Sequence, residues 1–376
     1  MTVEEKVCGA AKKRRMMEEF HMEDPDSRLA LLERRLGANW SHIRAGRDRA
    51  RAKRAELRSA LTGFDSEDTS IVVFGSLARD EFTPGSDIDW TLLIDGSADP
   101  KHLELAHRIE EVIGKAAAKP SGREGTFGSM AFSHDLIHQI GGEDDTNRNT
   151  TRRILLLLES DVVGRPEAYD RVLKNVLQRY LMEDRGFSHG SARYHVPRFL
   201  LNDFSRYWRT MAVDFAYKHR TRFGEGSAIR NFKLRMSRKL IYVTGLLTCF
   251  GCHLGFGEGL GAAVCSKPSG SPECIECLRR FLRRTPLEIL ASSLTYLDHL
   301  DGTAIKLFTA YDEFLGMLTD REARAHLESL PPDPDQSDET FQKARRVSHS
   351  FRDGLLELFF DDKSELSQLT KTYGVF

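Results

Sequence analysis

The chain has 376 residues, of which 40% are hydrophobic and 30% charged, with a formal net charge of −1. That supplies a sizeable core and is long for a single compact unit, so two or three packed units are expected. A charge this near zero excludes a chain that coats nucleic acid through a global basic field; contact with a polyanion must come from local stretches such as Lys12–Arg15, Arg44–Arg58 or Arg230–Lys239.

Met1 to Phe20 is polar and charged, with no apolar signal core. Residues 27–62 carry Leu29, Leu32, Leu36, Trp40 and Ile43 at helical spacing, followed by Arg- and Ala-rich turns, which predicts a helical lead-in. Ile71–Phe74 is a short β-branched, apolar run ending at Gly75 and reads as a buried strand. Thr83-Pro84-Gly85-Ser86 is a turn. Asp87–Ile94 alternates polar residues with Ile88, Trp90 and Leu92, a strand with one wet face. His102–Lys119 has helical periodicity and stops at Pro120. Phe127–Ile140 alternates loosely and is the expected third strand. A buried helix over 146–164 starts at Asp145 or Thr146 as N-cap.

Beyond Gly164 the pattern is helical, over 166–183, 195–220, 228–250, 275–292 and 296–318. The longest apolar run, Leu240–Phe250, is too short to span a bilayer, so a cytoplasmic chain with no membrane segment is expected. Pro331, Pro332 and Pro334, with an acidic stretch, mark a linker before a last helix at 341–361 and a polar tail. The fold class is α+β: a small domain with a mixed sheet and helices, then a large all-helical domain. The expected divisions are 1–64 lead-in, 65–165 catalytic domain, 166–330 helical domain, and 331–376 linker, helix and tail.

The stretch that carries chemistry is Val73-Phe74-Gly75-Ser76, then Asp87 and Asp89. A strand ending in Gly-Ser and opening a helix offers backbone N–H groups and a hydroxyl to phosphate oxygens, and Gly75 allows close approach. Asp87 and Asp89, two apart on a strand, project from one face. Two adjacent carboxylates repel unless a cation bridges them, and hard oxygen ligands suit Mg²⁺, one ion or two.

Gly75, Ser76, Asp87 and Asp89 resemble, residue by residue, the signature of the DNA polymerase β nucleotidyltransferase superfamily. The resemblance implies transfer of a nucleoside monophosphate from an NTP or dNTP to a hydroxyl, with two Mg²⁺ ions and release of pyrophosphate. It also implies a third carboxylate from a later strand, for which Asp135 in Phe-Ser-His-Asp-Leu-Ile-His stands first and Glu143, Asp144 and Asp145 compete. The layout around Asp135, with Thr151-Arg-Arg-Ile-Leu-Leu-Leu-Leu-Glu-Ser after it, is similar to the glutamine-synthetase adenylyltransferase branch, whose members modify proteins. The helical half resembles nucleotidyltransferases of bacterial anti-phage operons, in particular the Hailong type. That implies an oligonucleotide or nucleotide signal, priming on a tyrosine, and an effector protein from the same operon. A non-catalytic nucleotide-binding module is the remaining alternative, and the intact acidic pair argues against it.

Four further features are expectations from the residues themselves. Lys233, Ser237 and Arg238 lie on one basic helical stretch and suit a triphosphate, although a solvated face has the same pattern. Tyr207-Trp208-Arg209 suits base stacking or aromatic core packing. Cys249-x-x-Cys252 and Cys274-x-x-Cys277 have the spacing of a four-thiolate structural Zn²⁺ site, against which buried cysteines pack as small hydrophobes. The tail ending Thr370-Lys-Thr-Tyr-Gly-Val-Phe reads as flexible and offers Tyr373 as an acceptor hydroxyl.

Overall fold

The computed structural model describes residues 27–117, 129–184, 195–221, 223–255, 271–297, 299–361 and 364–374. The lead-in forms two helices, α1 (Arg28–Leu36) and α2 (Ser41–Ala60). Ser27 caps α1 by accepting from the Ala30 N–H, and Gly37 ends it in the left-handed region at φ 60°. Then follow β1 (Thr69–Phe74), α3 (Gly75–Ala78), β2 (Asp89–Ile94), α4 (Lys101–Ala116), β3 (Met130–Phe132), α5 (Ser133–His138), α6 (Asn147–Leu158) and β4 (Ser160–Val162). The four strands form one mixed sheet in the order β3-β2-β1-β4. β1 is antiparallel to β2 and β4, and β3 is parallel to β2.

Strand alternation divides the sheet residues between two cores. Ile71, Val73, Trp90, Leu92 and Ile94 pack with Ala50 and Leu57 of α2 and Ile109 and Ile113 of α4. Val72, Phe74, Leu93 and Val162 face the other way, into a core that continues through the helical region to Phe204, Phe250, Phe314 and Phe351. Asp89 shares the β2 face of Leu93, so its carboxylate points toward the helical region.

That region comprises α7 (Glu167–Glu183), α8 (Arg198–Thr221), α9 (Ser227–Lys233), a π-helical turn over Leu234–Arg238, α10 (Lys239–Leu254), α11 (Pro272–Leu282), α12 (Pro286–Tyr296), α13 (Asp301–Thr319), α14 (Arg321–Ser329), α15 (Glu339–Phe360), α16 (Glu365–Leu369) and a second π turn over Thr370–Gly374. No described helix is long and apolar enough to cross a membrane.

Four elements depart from expectation. The third strand is only Met130–Phe132, and Ser133–His138 is helix; Leu136 and Ile137 are adjacent and both buried, which a helical turn allows and a two-faced strand does not. The helix expected over 146–164 ends at Leu158 and gives way to β4 on the sheet edge. The helix expected over 275–292 is broken in two where Pro286 opens α12, with Thr285 capping it. The C-terminal segment is docked as far as Gly374: Leu366 and Leu369 are fully buried in the main core, one helical step of three apart.

Candidate active site

β1 delivers the chain to Gly75, whose φ is +68°. A Cβ there would meet Asp89 Oδ2 at 3.1 Å, so both the backbone conformation and the close approach call for glycine. The antiparallel register pairs Phe74 with Asp89 and thereby sets Gly75 and Ser76 beside that carboxylate. Asp87 lies just before β2 and is exposed, after a turn in which the Ser86 N–H donates to the Thr83 carbonyl at 2.9 Å.

The helical region closes over these residues from the opposite side. Its π-helical turn makes Lys233 and Arg238 neighbours along the axis, which a regular α-helix would not do; single π turns of this kind recur at functional sites. The result is a narrow cleft of about 70 Å³ lined by Gly75, Ser76, Asp87, Asp89, Lys233, Ser237 and Arg238 together. Arg235 lies outside it, exposed and bonded to Asn231.

Electrostatics follow from this enclosure. Burial, and then the Asp87 charge, push the Asp89 carboxyl up to about 6. Burial, and then the Arg324 charge, bring the Lys233 ammonium down to about 8, while Asp87 pulls it back up. Arg324 of α14 is a cleft residue that sequence reasoning missed. Its guanidinium is 3.3 Å from Thr83 Oγ1 and lies where a Cβ on Gly85 would sit, 2.7 Å from Nη1. Its segment reads as an ordinary charged helix, and only the closure of the helical region brings it to the turn at Gly85.

From the wall of the cleft, where Arg79 and Glu81 are lining residues, runs a buried chain of ion pairs that sequence reasoning also missed. Tyr311 donates to Glu81 at 2.8 Å, and Arg79 Nε donates to the same carboxylate at 2.9 Å. Arg79 also pairs with Glu159, whose other oxygen lies 3.0 Å from Arg238 Nη1. Burial pushes the Glu81 carboxyl up while Arg79 and Tyr311 pull it down. The Glu159 carboxylate foremost holds the Arg238 guanidinium in its charged form, against burial.

Asp135 is not part of this cleft. It sits in the first turn of α5 rather than in a strand. Phe132, three residues before it, pairs with Ile94, five residues along β2 from Asp89, or about 16 Å at ~3.3 Å per residue. Its charge acts on Arg152 instead. Asp145 is also committed elsewhere, in ion pairs with Arg153 at 2.9 Å and Arg206 at 3.2 Å. Replacing Asp135 by Ala is therefore expected to change turnover by less than about threefold, measured as steady-state pyrophosphate release; a loss nearer 100-fold would restore it as a reacting group.

The zinc expectation is corrected. Among the described residues no group of three or more His, Cys, Asp or Glu is placed to hold a metal ion. Cys249 and Cys252 lie within α10, Cys274 and Cys277 within α11, and all four are buried in the main apolar core. Burial foremost raises the Cys249 thiol well above its ordinary value, which keeps it protonated and a poor metal ligand. Cys265 lies outside the described residues.

Tyr207 packs in the core and Trp208 stacks on Tyr242 at 5.6 Å, as the packing alternative expects, whereas Arg209 is exposed. Tyr373 lines a second, larger cavity together with Asn147. Asn147 opens α6, and the cavity it lines shares no lining residue with the cleft.

The family model described as Nucleotidyltransferase domain matches residues 55–121, the span that includes Gly75, Ser76, Asp87 and Asp89. No curated protein and no solved structure matches the chain.

Proposed function

We propose that this chain transfers a nucleoside monophosphate from a nucleoside triphosphate, ribo or deoxy, to a hydroxyl acceptor with release of pyrophosphate. The family match supports a nucleotidyltransferase domain and a nucleoside triphosphate substrate. The observation that carries the fuller reading is the convergence of Gly75, Ser76, Asp87 and Asp89 from the sheet with Lys233, Ser237 and Arg238 from the helices.

The donor set fits magnesium, since Asp87 and Asp89 present hard oxygens, and burial, with the Asp87 charge adding to it, raises the Asp89 carboxyl in the absence of a cation. When bound there, the ion neutralises phosphate charge and makes the attacking hydroxyl more acidic. The chain's own groups do the rest. The Gly75 backbone and Ser76 hydroxyl hold phosphate oxygens, and Lys233, Ser237 and Arg238 donate to the pyrophosphate as it departs. The acceptor oxygen bonds to the α-phosphorus, the bond to the pyrophosphate breaks, and the hydroxyl proton passes to solvent.

The product class in this reading is an oligonucleotide or nucleotide signal of the anti-phage kind. Priming on Tyr373 would require the docked tail to leave its cavity or to enter the cleft of a second copy. The deciding experiment supplies each α-labelled NTP and dNTP with Mg²⁺. Label in a soluble oligomer supports the proposal, label retained on the protein band points to Tyr373 or to protein modification, and no pyrophosphate from any nucleotide refutes transfer. Lys233→Gln is expected to reduce kcat/KM by about tenfold to a hundredfold, mostly through KM, because one charge-assisted hydrogen bond to phosphate is lost. An unchanged KM would remove Lys233 from the phosphate site.

A further inference from the structure

The second cavity, of about 880 Å³, shares no lining residue with the acidic cleft. One wall is a single face of α8, where lining residues recur every three or four positions from Arg198 through Arg206 and Arg209 to Tyr217. Nineteen helical steps at ~1.5 Å give it a length of about 29 Å. The other wall is the C-terminal turn with Tyr373, and Asn147 lies against the middle of the face, 3.3 Å from Arg206. Such a length suits an extended ligand, while the volume is at the upper end of small-ligand sites, about 300–1,000 Å³.

We propose that this groove holds a short single-stranded oligonucleotide, its phosphates on Arg198, Arg206 and Arg209 and its bases against Tyr217 and Tyr373. Asp214 is the carboxylate that lines the groove, and it is already 2.8 Å from Lys218 Nζ; Arg198 pairs with the buried Asp184 at 3.5 Å and Arg206 with the buried Asp145 at 3.2 Å, so both present guanidiniums anchored from behind. Arg206 is fixed in place by the Asp145 carbonyl at 2.5 Å and by its carboxylate. Arg209 is exposed and forms no ion pair or hydrogen bond among the described residues. Tyr217 is 55% exposed, an unusual position for an aromatic ring, and the Arg220 guanidinium stands 5.9 Å from its centroid. Val213 beside it is 69% exposed and adds an apolar surface for a base. Spaced cations with interleaved rings are what a single strand requires, since every nucleotide brings one charge and one π-face. An acidic peptide would use the cations and leave the rings without a partner.

The proposal rests on the nucleotidyltransferase reading only for where the strand comes from, as acceptor or product, and binding is measurable without turnover. The test uses fluorescein-labelled hexaadenylate and hexathymidylate with the full chain, as wild type and as the Asp87→Asn, Asp89→Asn double variant, followed by fluorescence anisotropy. Both proteins are expected to bind, with log K falling against log salt at a slope of about −2, as three phosphate contacts on a single strand give. Arg209→Glu and Tyr217→Ala, both on an exposed face, should each weaken binding about tenfold with unchanged thermal melting. The proposal is overturned if neither hexamer binds, if both substitutions leave binding intact, if hexaglutamate binds as tightly, or if the double variant loses binding and so places the strand in the acidic cleft. Binding that persists in a protein without turnover would sink the catalytic reading and leave this one standing.

Discussion

Asp87→Asn combined with Asp89→Asn is expected to abolish pyrophosphate release and, at pH 7.5 without divalent cation, to raise the melting temperature. The two effects have one cause. The Asp89 carboxyl is pushed up to about 6 from 3.8 by burial and by Asp87. Between about pH 4 and 6 the folded chain therefore keeps a proton that the unfolded chain gives up, so stability falls as pH rises through that window and stays low above it. At about 1.36 kcal/mol per pH unit the ionised site costs up to about 3 kcal/mol when no cation is present. Asparagine removes the charge and the cost, and it removes the ligands that position the metal and the triphosphate. Wild type should accordingly gain stability on adding Mg²⁺ and the double variant should not. Calorimetry across pH 4 to 8, with and without Mg²⁺, reads the stability, and a coupled phosphate assay reads the rate. Turnover close to wild type in the double variant would end the proposed mechanism; a melting temperature that drops would end the electrostatic account of Asp89.

The parts of this site that could be read from the sequence are those set by local geometry. A strand, a glycine and two acids at a spacing of two have fixed consequences within about 15 residues, and Gly75, Ser76, Asp87 and Asp89 converge in the cleft. Ser237 follows Lys233 by one helical step of four, whereas Arg238 is brought to the same side by the π turn, which has no sequence mark. Asp135 went astray because a run holding Leu136, Ile137 and Ile140 fits strand and helix alike, and tertiary burial chose helix. Arg79, Glu81, Glu159 and Arg324 were not legible, since a charged residue looks solvated until its partner is brought from up to 241 positions away. The cysteine spacing misled for a related reason, since two Cys-x-x-Cys pairs on buried helices satisfy apolar packing as well as they satisfy a metal pattern.

The strongest structural effect is expected from Arg79→Ala, a residue with no place in the sequence motif. Arg79 is 5% exposed and stands between Glu81, 2% exposed, and Glu159, 3% exposed. Both carboxylates lose their central cation in the variant, and Glu81 keeps only the Tyr311 hydroxyl. Removing one partner from a buried ion pair costs about 3–5 kcal/mol, because the remaining charge stays desolvated. Melting at pH 7.5 is expected roughly 4–6 °C below wild type for a chain of this length. The deficit should shrink at pH 5: without Arg79 to pull it down, the Glu81 carboxyl rises further, the folded variant takes up a proton, and acid relieves what wild type does not need relieved. Arg79→Met with Glu81→Gln and Glu159→Gln removes all three charges together, and should recover most of the lost stability. Because Glu159 also holds Arg238, and Arg79 itself lines the cleft, the triple variant is expected to stay folded yet bind triphosphate weakly, which separates the network's role in stability from its role in the cleft. A deficit below about 2 °C for Arg79→Ala, or no recovery in the triple variant, would show that these charges are solvated in the folded chain and that the sheet and the helices are joined over the cleft by apolar packing alone.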